Sequence, residues 1–330
     1  MKRIRLLLLM LTACLFLKAR DDIPEPPPGT VSAKIYSHFN YSLDADNPAT
    51  AFEIKRAYFG YKRDLDDFFS AEVKLDIGSI NDDSEFALIR RYTYFKNAYL
   101  SYSKGNIKTW FGLFDMLQFN VQEKFWGYRY IYRSYMDEYR FGSSADLGAG
   151  IQYAPSKLIT ADLVFSNGEG YKDLQFDKIY RVGAGITINP LKGLTLRGYY
   201  TIHTSDSHQM IFSGFAGYQI KKFRIGGEYN HQLNFKFNEG YSRFGYSFYS
   251  TYTISPKWEV FARYDQLYSN ILPGEEVPWN LGEDGSAIIS GVQFTPIPFI
   301  HLALNYQDWV EYARNGGSEP YLYLNIEVDF

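Results

Sequence analysis

The sequence predicts an all-β chain closed into a transmembrane antiparallel β-barrel of about 16 strands, with short periplasmic turns and long extracellular loops. Three observations carry that expectation. Thirty Tyr, 26 Phe and 5 Trp give 18% aromatic residues, with 27 Gly and a mean hydropathy of -0.29, a composition of strand-formers and turn-formers that is polar on average. Segments of about ten residues alternate apolar and polar from residue 31 onward, as in a strand with one face in lipid and the other in a lumen. The links between these segments alternate short and long. A helical membrane protein is excluded by the lack of an apolar run of 18 residues or so, and disorder by the 46% hydrophobic content. With 34 Lys and Arg against 37 Asp and Glu, the chain has no basic footprint for nucleic acid.

The amino terminus reads as an export signal. Met1-Lys2-Arg3-Ile4-Arg5 is cationic, and the apolar run from Leu6 to Leu17 is too short to span a bilayer. Cleavage after Ala19 assigns residues 1–19 to a signal peptide. The rival is a lipobox at Leu11-Thr12-Ala13-Cys14 with Cys14 lipidated, although the apolar run continues past it. Either route takes the chain out of the cytoplasm, towards the bacterial outer membrane. Residues 20–30, rich in Pro from Pro24 to Pro28, are too stiff to join a ladder and form a short leader. The barrel then occupies residues 31–330.

The last strand shows the pattern most clearly. Leu322, Leu324, Ile326, Val328 and Phe330 share one face, while Tyr321, Tyr323, Asn325, Glu327 and Asp329 share the other. The same rule sets Phe69, Ala71, Val73, Leu75 and Ile77 against Ser70, Glu72, Lys74 and Asp76. It also sets Val182, Ala184, Ile186 and Ile188 against Arg181, Gly183, Gly185 and Thr187. Phe223, Ile225, Gly227 and Tyr229 oppose Arg224, Gly226, Glu228 and Asn230; Trp258, Val260, Ala262 and Tyr264 oppose Glu259, Phe261, Arg263 and Asp265. One segment breaks the rule: in Phe52-Glu53-Ile54-Lys55-Arg56-Ala57-Tyr58, strict alternation puts Arg56 in lipid, at roughly 2–4 kcal/mol near the midplane. A β-bulge between Ile54 and Arg56 turns Arg56 inward; the alternative has it facing a neighbouring subunit.

Tight links are expected at 63–67, 104–106, 155–157, 190–193, 221–222, 255–257 and 296–298, where Pro, Gly, Asn and Lys collect. Longer polar links fall at 42–50, 78–92, 117–142, 167–178, 204–209, 234–241, 269–286 and 310–320. A soluble sandwich shares the alternation within strands but does not require alternating link lengths. The longest link, 117–142, is aromatic-rich and long enough to fold inward and narrow the lumen. Gly148, Gly150, Gly183 and Gly185 leave a smooth inner wall for it, or else mark barrel corners. Lys124, Arg129, Arg133, Arg140 and Glu123 in this link are the candidate constriction residues. Lys55, Arg56, Lys74, Arg181, Arg197, Arg224 and Arg263 are the candidate lumen-facing charges. They form a basic path, or pair with Glu72, Asp76, Asp162, Glu228, Glu259 and Asp265 on the same face.

Phe52–Tyr58, Tyr132-Arg133-Ser134, Arg140-Phe141-Gly142, Phe165-Ser166-Asn167-Gly168 and the terminal Phe330 together resemble the phosphate-selective porin O and P family. The resemblance implies a homotrimeric channel in outer-membrane lipid that passes small hydrophilic or anionic solutes without a cofactor. A strand ending on Phe330 likewise resembles the recognition signal read by the barrel-assembly machinery. The chain departs from that family in lacking a basic excess.

The other function classes have weaker signals. A barrel hydrolase needs a His oriented by a carboxylate beside a nucleophile. His203-Thr204-Ser205-Asp206-Ser207-His208 concentrates those types, but in a link where they are ordinary turn residues. His203 and His208 lack further ligands at metal-binding spacing. A non-conducting anchor or assembly platform is expected to carry a soluble domain. The reading is therefore of a passive diffusion channel with no catalytic or metal residues.

Overall fold

The computed structural model describes residues 28–44, 50–78, 93–311 and 318–330. The signal peptide with both its processing sites, and most of the Pro-rich leader, lie outside the described residues. Sixteen strands close into one antiparallel barrel, each paired with its sequence neighbours and the last with the first. They are β1 (Thr30–Ser42), β2 (Thr50–Asp64), β3 (Phe69–Gly78), β4 (Thr93–Lys104), β5 (Ile107–Asp115), β6 (Ala145–Tyr153), β7 (Ile159–Ser166) and β8 (Arg181–Leu191). The second half is β9 (Leu194–His203), β10 (Met210–Ile220), β11 (Phe223–Leu233), β12 (Arg243–Ser255), β13 (Trp258–Ser269), β14 (Gly285–Ile297), β15 (Ile300–Glu311) and β16 (Tyr321–Asp329). Closure is completed by reciprocal backbone hydrogen bonds between Ala33 and Phe330 at 2.6 and 2.9 Å. It leaves no sheet edge.

Short turns lie on one rim, with both ends of the barrel, and the longer connections lie on the other. The partition of side chains is inverted relative to a water-soluble protein. Phe52, Phe111, Phe248 and Leu304 stand exposed on the outer wall, whereas Asn97, Thr201, Asn230, Ser247, Asn305 and Asn325 are buried within. Outward aromatic pairs such as Trp258–Phe294 at 4.5 Å and Tyr200–Phe212 at 4.9 Å stitch neighbouring strands.

The anticipated bulge is present. Tyr36 pairs with Arg56 and Ser37 with Ile54, so Lys55 is the extra residue, and Lys55 and Arg56 both turn inward. A second bulge, absent from the sequence reading, lies where Lys74 pairs with Asn97 and Leu75 with Phe95. There the extra residue is Lys96. Each bulge places an additional lysine inside while keeping apolar residues on both sides facing out.

The register makes opposite forecasts for two deletions. Without Lys55 the ladder becomes regular with Arg56 still inward, so the barrel should retain heat-modifiable electrophoretic migration. Deleting Ala57 instead drives Arg56 into the lipid face, and the unfolding midpoint should fall by the equivalent of roughly 2–4 kcal/mol.

Candidate functional site

The connection between β5 and β6, residues 116–144, turns into the barrel and carries two short helices, α1 (Asn120–Trp126) and α2 (Tyr135–Glu138). Six of its apolar residues bury completely: Phe119, Trp126, Ile131, Tyr135, Met136 and Phe141 are at most 1% exposed. They pack on wall aromatics, with Trp126 5.2 Å from Tyr249 and Tyr128 4.6 Å from Phe261. The loop therefore leans on the β10–β15 side of the lumen.

Its backbone has no ladder, and long cationic side chains of the wall take the place of one. Arg197 donates to the Leu117 carbonyl at 2.7 Å, Arg224 to Trp126 at 3.2 Å and Lys55 to Ile131 at 2.9 Å. Arg263 donates to the Arg133 carbonyl at 2.7 Å and Arg243 to that of Arg140 at 2.6 Å. Arg181 holds the Gln118 side chain. Arg197 also grips Asp162 through two bonds of 2.8 and 3.0 Å, and Arg263 grips Asp265 at 2.7 and 2.8 Å. Arg181, Arg197, Arg224 and Arg263 thus turn inward, and of the two alternatives, a basic path or pairing with carboxylates of the same face, Arg197 and Arg263 take the second. They are struts of the loop.

The constriction candidates are separated. Arg129 clasps Glu123 and, at 2.7 Å, Asp137, and Arg129 and Glu123 line an inner cavity of about 250 Å3 between the loop and the β1–β5 wall. Arg133, paired with Glu138 at 2.8 Å, and Arg140 line an outer vestibule of about 970 Å3 instead. Lys124 lines neither; it is exposed and lies near Lys108, towards the short-turn rim. The inner cavity takes its other charges from Lys34, Lys74, Lys96, Asp115 and Asp329. Lys34 lies 2.9 Å from Asp329, Lys74 2.8 Å from Glu72, and Lys96 3.4 Å from Asp115.

Several of these residues escaped the sequence reading. Lys96 had a readable signal, two adjacent polar residues (Lys96-Asn97) inside an alternating strand, the same signature as Lys55-Arg56. Tyr171 had none. It reaches across from the β7–β8 connection to donate to Asp76 at 2.8 Å, beside the Arg56–Asp76 pair at 3.3 Å. Three of the four inner-wall glycines make room for wall aromatics: a side chain at Gly150 would meet Phe114, and one at Gly183 or Gly185 would meet Tyr199, whereas one at Gly148 would meet the backbone of Phe165 and Ser166 on the neighbouring strand. In the 203–208 segment, Ser205 donates to the Ser207 carbonyl, and the ring nitrogens of His203 and His208 face the carbonyls of Gln209 and His203.

No protein-family model and no curated relative matches the sequence. Solved structures match the fold across nearly the whole chain. Salmonella typhi OmpF, solved with daunomycin, aligns with a TM-score of 0.72 at 11% identity, covering 94% of this chain and 99% of that one. The outer membrane channel DcaP of Acinetobacter baumannii gives 0.66 at 12% identity, covering 92% and 97%. Pseudomonas putida OprB gives 0.67 at 9% identity, covering 92% and 94%. The closed antiparallel barrel architecture is thus shared with these outer-membrane proteins.

Two forecasts follow from the struts. Arg263→Met leaves Asp265 buried beside Tyr139 without its cation, and should lower stability by roughly 3–5 kcal/mol. Adding Asp265→Leu should recover much of that loss in urea unfolding. The second concerns acid. Burial raises the Asp137 carboxyl, but Arg129, then Arg133, Lys96 and Arg56, outweigh it and hold it below the usual carboxylate range. A depressed folded pKa contributes stability above the unfolded value of about 3.9, lost as pH falls through the folded value. Protection of the loop from hydrogen exchange should therefore persist at pH 5 and decline only below about pH 4.

Proposed function

We propose that the protein is a passive diffusion channel of the bacterial outer membrane, admitting small hydrophilic solutes between the inward loop and the β1–β5 wall. The single observation that carries this is a closed barrel with an apolar exterior, a polar interior and a loop pinned to one side of the lumen. The export-type amino terminus supports the compartment, and the likeness to outer-membrane channels supports the role. A Vibrio cholerae outer membrane protein of the same fold, 13% identical with a TM-score of 0.63, was solved in a trimer form, which supports a homotrimer.

Selection in such a channel follows the width and the fixed charges at the narrow zone. Lys34, Lys74, Lys96 and Arg129 converge on the inner cavity, but Asp115, Glu123 and Asp329 line it too. The excess of cationic groups there favours anions modestly. The resemblance to phosphate-selective porins and the adjacent Lys55 and Arg56 point the same way. The pairing of nearly every cation with a carboxylate argues for weak discrimination rather than a dedicated phosphate site.

Single-channel recording of the refolded protein under a KCl gradient tests this reading. Discrete steps with a small reversal potential on the chloride side are expected. Lys74→Gln should move the chloride-to-potassium permeability ratio towards cations by roughly two- to threefold without changing the fold. Absence of conductance from a correctly folded barrel would overturn the channel reading in favour of an anchor.

A further inference from the structure

A groove of about 870 Å3 runs over the outer wall of β8–β12 and continues into a second hollow of about 650 Å3 on the long-loop side. Its floor is Gly198, Gly214, Ala216 and Gly227, which pair as neighbours across β9, β10 and β11. A side chain built at Gly198 or Gly214 would meet nothing within 4 Å, so the wall there is thin and open outward. The groove descends past Leu194, Tyr218 and Ile225 to the short-turn rim.

That rim is cationic on this side. The turns after β8, β10 and β12 carry Lys192, Lys221-Lys222 and Lys257; further round the rim Lys104 ends β4 before its turn and the turn after β6 carries Lys157. None of these five turns contains an acid. Lys192, Lys221 and Lys222 are exposed, and no carboxylate among the described residues is in ion-pair contact with them. Lys222 donates to the Ile254 carbonyl at 2.9 Å. Lys221 follows Gly214 by seven residues; at about 3.3 Å per residue and a tilt of about 40°, that is a depth of about 18 Å. This is close to one leaflet of a hydrocarbon core about 30 Å thick.

We propose that this face binds an anionic phospholipid of the periplasmic leaflet. Its acyl chain lies along the groove over Gly198, Gly214 and Gly227, and its phosphate sits among Lys192, Lys221 and Lys222. The apolar hollow accounts for the chain, and the unopposed lysines at its foot account for the charge of the headgroup. A zwitterionic lipid fills the hollow equally well but gains less from the lysines. The proposal rests on the outer-membrane reading above.

The protein is inserted into vesicles of equal parts phosphatidylglycerol and phosphatidylcholine, its conductance is recorded, and the lipids retained on mild detergent extraction are identified by native mass spectrometry. Wild type should keep phosphatidylglycerol over phosphatidylcholine by about tenfold. Lys192→Gln/Lys221→Gln/Lys222→Gln should abolish that preference, and Gly214→Leu, which fills the groove without a clash, should reduce total retention. Both variants should conduct as wild type does, since neither touches the lumen. A conducting wild type that retains both lipids equally, or variants that retain phosphatidylglycerol unchanged, would overturn the proposal alone. So would a Gly214→Leu variant that loses a subunit instead of a lipid, which makes the groove a seat for a second copy. A wild type that neither inserts nor conducts would overturn the channel reading and this one with it.

Discussion

The backbone of residues 116–144 enters the lumen without a strand to pair with, and its carbonyls must find donors there or remain buried and unsatisfied at about 1–3 kcal/mol each. Arg197, Arg224, Arg243, Arg263 and Lys55 supply those donors from the wall. The arrangement suits guanidinium, whose planar fork can hold a carboxylate and a carbonyl at once. Arg263 does so between Asp265 and the Arg133 carbonyl, with the faces of Trp126 and Tyr132 about 5 Å away. Everything else about the lumen depends on where these contacts fix the loop.

Because most of the struts rise from β9–β13, the loop lies against that half of the wall, and the inner cavity opens on the β1–β5 half. The bulges at Lys55 and Lys96 lie on this open half. Each adds a lysine to the inner face at a place where strict alternation allows only one inward residue per two. Lys55 reaches the middle of the loop at Ile131, whereas Lys96 meets only the loop's last residue, Ser144, and Asp115 on the wall. An irregularity of one residue in a ladder thus redistributes charge across the lumen without exposing any of it to lipid.

Net charge says little about such a lumen. The chain carries slightly more acid than base, yet most carboxylates inside are occupied: Asp162 by Arg197, Asp265 by Arg263, Asp76 by Arg56 and Tyr171. Burial makes these pairings close to obligatory, since an isolated ion in a dry interior is far more costly than one in water. What a solute meets is the residue left after pairing, in the narrow zone around Lys34, Lys74, Lys96 and Arg129.

The alternation of residues by itself determined the fold, the strand count, the two kinds of rim and even the bulge at Lys55-Arg56. An outer face in lipid tolerates no charge, so every inward or outward assignment is written locally, two residues at a time. The same rule turns Arg181, Arg197, Arg224 and Arg263 inward. It could not say whether they meet water or a loop. That was decided by a long-range contact: Arg197 and Leu117 are 80 positions apart, and Arg263 and Arg133 are 130 apart. For the same reason Arg129, Arg133, Arg140 and Lys124, all in one connection, end in different compartments, and Tyr171 finds Asp76 from 95 positions away. Periodicity specifies which face a side chain takes. Only the folded loop, whose packing against the far wall has no period, decides which of those side chains line the open space.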